Sequence, residues 1–303
     1  MRKIVITGAS GFVGKNLSNY LGRNGFEVST LPLRNDRWQK LLNNEGEAII
    51  HLAGKAHHTS NTTDEQEYFD VNTELTKLLF NEFLKSDIRD FFFFSSVKAT
   101  ADTIDTVLDE QHSSNPKTPY GKSKLLAEEY LLSQVLPEGK RLFIIRPCMI
   151  HGPGNKGNLN LLYKIVQKGV PWPLAAFENQ RSFLSIDNAC FLIEQMLKDK
   201  TIPSGIYNFA DDGPVSTNEL IAIISGTLNK TSKLLKISPN IIKYLAKLGD
   251  VLRLPLNTER LKKLTESYVV SNQKIKTALN LNQLPLSATE GLKKTIKSFK
   301  NIP

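Results

Sequence analysis

The beginning of the chain constrains its fold most. Lys3-Ile4-Val5-Ile6-Thr7 is a short run, rich in β-branched residues, of the kind that forms a strand buried on both faces. Gly8-Ala9-Ser10-Gly11-Phe12-Val13-Gly14 follows at once, and a helical pattern through Leu17, Tyr20 and Leu21 comes next. Glycines at that point let the backbone turn sharply and approach a pyrophosphate. The helix start then presents N–H groups and the positive end of its dipole to the anion. The spacing is G-x-x-G-x-x-G rather than G-x-G-x-x-G, and alone it permits a structural reading. Between a first strand and a first helix it predicts a dinucleotide site.

The same alternation continues. Strands are predicted at residues 3–7, 28–31, 48–52, 91–95, 142–146 and 205–209, with helices near 13–23, 72–84, 119–135 and 186–197. Strands joined by helical crossovers make an α/β, doubly wound, parallel Rossmann-type sheet. Residues 147–183 are rich in Gly, Pro and Asn and interrupt the pattern. The predicted division is a dinucleotide-binding domain at 1–150 plus about 184–209, and a smaller, mostly helical substrate-binding lobe at about 151–183 plus 210–303.

Two further stretches carry chemistry. Phe91-Phe92-Phe93-Phe94 fits a strand buried on both faces, and Ser95-Ser96 falls at its carboxyl end, where open α/β sheets bind ligands. Tyr120-Gly-Lys-Ser-Lys124 opens a helix, with Pro119 at its first position and Thr118 as N-cap. Residues four apart share a helix face, so Lys124 is expected beside Tyr120. A phenol of pKa about 10 is a poor base at neutral pH, and a neighbouring cation lowers that value. Exposed polar residues at a helix start are the bland alternative. The glycine turn and the serine-ended strand weigh against it.

Taken together these pieces resemble the extended short-chain dehydrogenase/reductases, within them the NAD-dependent epimerase/dehydratase group that acts on nucleotide sugars. The matching stretches are Thr7-Gly8-x-x-Gly11-Phe12-x-Gly14, His51-Leu52-Ala53-Gly54, Ser95-Ser96, Tyr120-x-x-x-Lys124, Arg146-Pro147, Gly152-Pro153-Gly154 and Arg181 through Asp187. They run in family order through about two-thirds of the chain. The resemblance implies Ser96, Tyr120 and Lys124 as catalytic residues. It implies Gly8, Ser10, Gly11, Phe12, Val13, Gly14, Leu52, Ala53, Gly54, Tyr120, Lys124 and Pro147 along the cofactor. Arg181 matches the arginine that grips the nucleotide diphosphate, and guanidinium geometry suits that contact. Lys55, Ser96, Asn158 and Arg260 complete the implied substrate set, and His57 is placed near it. His51 reads as structural. Val97-Lys98 stands where the family's dehydratases carry an acidic pair, which argues against dehydration. The family's usual homodimer is carried over as an expectation.

The cofactor turns on the end of the second strand. NAD-binding members carry an acidic residue there for the ribose hydroxyls. Pro32 stands at that place, with Arg34 and Arg37 close by, which predicts NADP, bound through Arg34; Asp36 keeps NAD open. The sequence thus predicts an oxidoreductase acting at sugar C4: a 4-ketoreductase of a UDP-6-deoxy sugar in surface polysaccharide synthesis. A UDP-sugar 4-epimerase with retained NAD is the alternative, and a non-catalytic dinucleotide-binding sensor or scaffold is the other. Both cysteines, Cys148 and Cys190, lie in apolar segments and read as reduced core residues, and no metal site is predicted. The first strand leaves no room for a signal peptide and no apolar run reaches membrane-spanning length, so a cytoplasmic location is expected. The net charge of +9 is uneven: residues 230–303 hold fifteen Lys/Arg and four Asp/Glu. That basic region suits a diphosphate-bearing substrate or an anionic membrane face. No recognition motif accompanies it, which makes nucleic acid the weaker reading, and a solvated lysine-rich surface is the bland one.

Overall fold

The computed structural model describes residues 2–35, 37–42, 46–56, 65–155, 158–252 and 256–300, without the side chains of Asn158 and Lys263. Six strands form one parallel sheet: β1 (Arg2–Thr7), β2 (Phe26–Leu31), β3 (Ala48–His51), β4 (Asp90–Phe94), β6 (Arg141–Pro147) and β9 (Gly205–Phe209). Two small parallel pairs lie outside it: β5 (Val107–Leu108) with β10 (Val269–Val270), and β7 (Met149–His151) with β8 (Phe183–Ser185). The large sheet runs in the order β2-β1-β3-β4-β6-β9. Side chains alternate along a strand, so β4 sends Phe91 and Phe93 to one face and Phe92 and Phe94 to the other. Phe91 packs on Phe80 and Phe83 of the Leu75–Lys85 helix, while Phe92 meets Phe143 of β6. Both faces are therefore apolar, as crossover helices on both sides require.

The strand order differs in one respect from the six-stranded dinucleotide fold, in which the third strand lies outside the second. Here β2 is the edge, and the chain passes from it by the short helix Trp38–Leu41 to β3, on the far side of β1. The connection from Leu31 to Ala48 is too short for a further strand and a full crossover.

Helix ends explain the placement of the site. The Pro119–Ser133 helix starts as expected: Pro119 is at its first turn and the Thr118 hydroxyl accepts from the Gly121 N–H at 3.3 Å. The Asp102 carboxylate fixes that start, accepting from the Thr118 hydroxyl at 2.9 Å and the Lys117 N–H at 2.6 Å. The helix predicted over 72–84 differs, because a π-helical turn, Asp70–Glu74, joins Gln66–Phe69 to Leu75–Lys85. Past residue 158, a separate apolar cluster forms around Leu162, Trp172, Leu220, Ile242 and Leu292. Asp211 ties this region to the sheet, accepting from the Ser185 N–H at 2.8 Å and the Asn188 amide at 2.7 Å. Among the described residues no helix is long and apolar enough to cross a membrane.

Candidate active site

A cavity of about 660 Å³ opens at the carboxyl ends of β1, β3, β4 and β6. Its floor at one end is the glycine turn. Gly8 has φ +69°, and a Cβ there would lie 2.5 Å from the Ala53 nitrogen. A Cβ on Gly14 would lie 2.3 Å from the Gly8 oxygen. These two positions therefore exclude larger residues by backbone approach. Gly11 is the N-cap of the Phe12–Arg23 helix, and no side chain caps it. The first helical N–H groups are thus left for another acceptor. A Cβ on Gly11 would meet only the Gly8 oxygen, at 3.3 Å, so the space before the helix is open. An uncapped helix start facing a cavity fits the diphosphate of a dinucleotide.

Above it sits a buried clamp. The Thr7 hydroxyl hydrogen-bonds His51 Nδ1 at 2.7 Å, His51 Nε2 meets the Thr76 hydroxyl at 2.9 Å, and the Ala53 N–H donates to Thr7 at 3.2 Å. Burial, with Lys124 nearby, pushes the His51 pKa down to about 3, so the imidazole is neutral. Asn72, on the π-helical turn, accepts from the Lys55 N–H at 2.8 Å and donates to the Lys55 carbonyl and the Ser123 hydroxyl, each at 3.0 Å. One amide thus fastens the Leu52–Lys55 loop to the Tyr120 helix.

The chemistry-bearing side chains stand at the middle of the cavity. Burial raises the Tyr120 pKa, a hydrogen bond with Ser96 acts to lower it, and Tyr68, edge-on at 6.3 Å between ring centroids, raises it. The Lys124 ammonium donates to the Phe94 carbonyl at 2.8 Å and lies over the Phe93 ring. A Cβ on Gly54 would come within 3.1 Å of it. Burial lowers the Lys124 pKa to about 8, against the opposing pull of Glu128. The two serines differ. Ser96 bonds to Tyr120, whereas Ser95 is tied to Glu128, which also pairs with Arg146.

Of the residues singled out in the sequence, Gly8, Gly11, Phe12, Val13, Gly14, Leu52, Gly54, Lys55, Ser96, Tyr120, Lys124 and Pro147 line the cavity. Ser10 is exposed beside it, and Ala53 lies behind the wall, bonded to Thr7. Arg34 is exposed beyond β2 and does not line the cavity, and Asp36 falls outside the described residues. His57, His58 and the Asn158 side chain also lie outside them. Arg260 is exposed on the Thr258–Thr265 helix, away from the cavity wall. Arg181 is half-buried between Val215 and Tyr268, and its Nε donates to the Glu266 carbonyl at 3.1 Å. Burial lowers its pKa.

Sequence reasoning passed over several residues. Lys98, two residues after Ser96, donates to the Asp102 carbonyl at 2.6 Å and stands 3.9 Å from the Tyr268 ring centroid. Burial lowers its pKa to about 8; Asp102 and Glu266 oppose this, and Arg181 adds to it. Lys98 and Arg181 are thus neighbours around Tyr268, and neither lines the cavity. The signal for Lys98 was its place two residues beyond the serine. Asn72, Asn155 and His151 gave no spacing signal; the last two line the cavity wall and the first clamps its loop. Cys148 and Cys190 are free and buried, and burial pushes both thiols up. Among the described residues no cluster of three or more His, Cys, Asp or Glu side chains is set to hold a metal ion.

Similarity to known proteins agrees with this geometry. Residues 4–210 match the model of the NAD dependent epimerase/dehydratase family. A UDP-glucose 4-epimerase of Vibrio cholerae is 27% identical over 98% of this chain and 95% of its own length. The N-acetyl-alpha-D-glucosaminyl-diphospho-ditrans,octacis-undecaprenol 4-epimerase of Escherichia coli O157:H7 is 28% identical over 75% of this chain and 72% of its own. The crystal structure of UDP-glucuronic acid 4-epimerase from Bacillus cereus in complex with NAD superposes with a TM-score of 0.74 over 99% of each chain at 18% identity, a likeness of fold. The matched segment contains the glycine turn, the Ser96–Tyr120 pair and Lys124, and the chain belongs to the NAD dependent epimerase/dehydratase family of nucleotide-sugar enzymes.

Proposed function

We propose that this chain reduces the C4 carbonyl of a 4-keto nucleoside-diphosphate sugar, a UDP-6-deoxy sugar being the leading substrate, in surface polysaccharide synthesis. The observation that carries the reading is the Tyr120 phenol, hydrogen-bonded to Ser96 inside the cavity and held protonated by burial. A protonated phenol is the acid that carbonyl reduction needs. The nicotinamide cofactor supplies the hydride to C4 when bound. Tyr120 gives its phenolic proton to the C4 oxygen, and Ser96 donates a second hydrogen bond to that oxygen. Lys124, at Gly54 and the Phe94 carbonyl, orients the nicotinamide ribose; Gly8, Gly11 and Gly14 with the helix start hold the diphosphate of the dinucleotide. Arg181 and Lys98 supply the charge for the substrate's diphosphate, with Lys55 of the cavity wall on the sugar side. The residues after 210, with 151–183, form the substrate lobe in this reading. The end of β2 bears no carboxylate among the described residues, which supports NADPH.

A second reading, 4-epimerisation with a retained dinucleotide, is favoured by the end-to-end similarity to a UDP-glucose 4-epimerase. One experiment separates them. Purified protein given NADPH and a UDP-4-keto-6-deoxy sugar is expected to consume NADPH absorbance stoichiometrically with alcohol formed. NAD released on denaturation, with interconversion of UDP-sugars in the absence of any reductant, would assign the epimerase instead. Neither activity with either substrate class would leave a binding protein.

A further inference from the structure

The helix Pro239–Leu252 buries one face and exposes a second apolar one. Ile242, Ala246 and Gly249 are buried. Gly249 fixes that face inward, since a Cβ there would lie 1.9 Å from the Leu256 oxygen. Ile241, Tyr244, Leu245, Leu248, Val251 and Leu252 are exposed, Tyr244 by 69% and Val251 by 79%. At about 100° per residue these six fall in one continuous stripe along the helix. Lys243 and Lys247 are exposed along one edge of it. Just before the helix, Leu234 and Leu235 are exposed as well, among Lys230, Lys233 and Lys236. Residues 230–247 contain five lysines and no acidic residue. Exposed apolar residues elsewhere, such as Leu78 or Leu126, stand singly and need no explanation.

We infer that this face docks the protein onto an anionic lipid bilayer, the helix lying in the interface with its stripe among the acyl chains and its lysines on the headgroups. An apolar stripe edged by lysine, with a tyrosine at the boundary, matches what such a surface offers. Charge complementarity selects the bilayer over a second copy of the chain. A two-fold contact through the stripe would bring Lys243 and Lys247 toward their own counterparts, and Asp250, the one acid on this helix, is engaged by the Thr258 N–H and hydroxyl. The Pro239–Leu252 helix packs on the Thr258–Thr265 helix, after which Glu266 holds Arg181, so the docked face belongs to the same lobe as the substrate-side cations. The inference does not depend on which sugar is turned over, and its failure leaves that proposal untouched.

Sedimentation of the full chain with vesicles tests it. Binding is expected to vesicles of phosphatidylcholine containing one-third phosphatidylglycerol, weakly or not at all to pure phosphatidylcholine, and less as salt rises. Lys243→Gln with Lys247→Gln is expected to lower partitioning roughly thirtyfold, near the value for two lysines at a membrane surface. Tyr244→Glu with Val251→Glu is expected to abolish it. Both variants should keep the wild-type melting temperature and cofactor affinity. Equal binding to the two vesicle types, or none to either, overturns the proposal. So does a concentration-dependent dimer in analytical ultracentrifugation that the Tyr244/Val251 variant disperses.

Discussion

Two regions of the molecule carry positive charge by different means. At the glycine turn the charge is fixed partial charge: an uncapped helix start, opened by Gly11 and braced by Gly8 and Gly14. It does not titrate and loses nothing by burial. Around Tyr268 the charge belongs to side chains, Lys98 and Arg181, whose pKa values burial lowers. Backbone dipoles give a charge that pH does not change. A buried lysine gives a charge that responds to pH.

The largest expected effect concerns Tyr120. Tyr120→Phe should lower turnover by ~10²–10⁴-fold while dinucleotide and sugar nucleotide still bind, as read by steady-state rates against calorimetric affinities. Wild-type turnover in that variant would remove the phenol from the proton transfer. Next, Arg181→Ala or Lys98→Ala should weaken sugar-nucleotide binding roughly ten- to a hundredfold and leave dinucleotide affinity unchanged. Equal losses for both ligands in calorimetry would erase the distinction drawn above.

A pH titration sharpens it further. Lys98 is charged below about pH 8 and neutral above, so sugar-nucleotide affinity should fall as pH rises through about 8. Lys98→Met should flatten that fall. Lys124 also titrates near pH 8, but its loss of charge should touch the ribose side and turnover more than the diphosphate of the dinucleotide. Both lysines hold fewer protons native than unfolded between about pH 8 and their ordinary value. Their linked contribution to stability therefore climbs with pH across that window. The smallest effect concerns Arg34. Because it is exposed, Arg34→Ala should cost NADPH a few-fold of its preference over NADH at low salt, and less at moderate salt. Fluorescence titration of the two cofactors reads it.

What the sequence made legible was what short-range pattern controls. The Phe91–Phe94 run declares a two-faced strand, Thr118-Pro119 declares a helix start, and both were found where expected. Tyr120, Lys124 and the glycines were legible because one turn of helix or one tight loop brings each set together. Asp102 and Asn72 were not, since each acts on residues fifteen or more positions away. Lys98 was visible as a residue but not as a neighbour of Arg181, because that proximity is made by long-range packing around Tyr268. The position of β2 at the sheet edge was hinted at by the short stretch before His51, though only the pairing shows which strand is missing.

The π-helical turn at Asp70–Glu74 acts as a phase shift between two fixed clocks. Downstream, Leu79, Phe80 and Phe83 are locked in the core. Upstream, Tyr68 is locked edge-on to Tyr120. A turn with one residue more than the α-helical path rotates one half against the other by about 100°, so a straight helix could satisfy only one lock. Excising a single residue at Val71 would therefore leave every side chain of the site in place in the sequence and still swing Tyr68 off Tyr120, or Asn72 off the Lys55 loop. In this chain an insertion of one residue, rather than any side chain, sets the timing between the core and the reactive phenol.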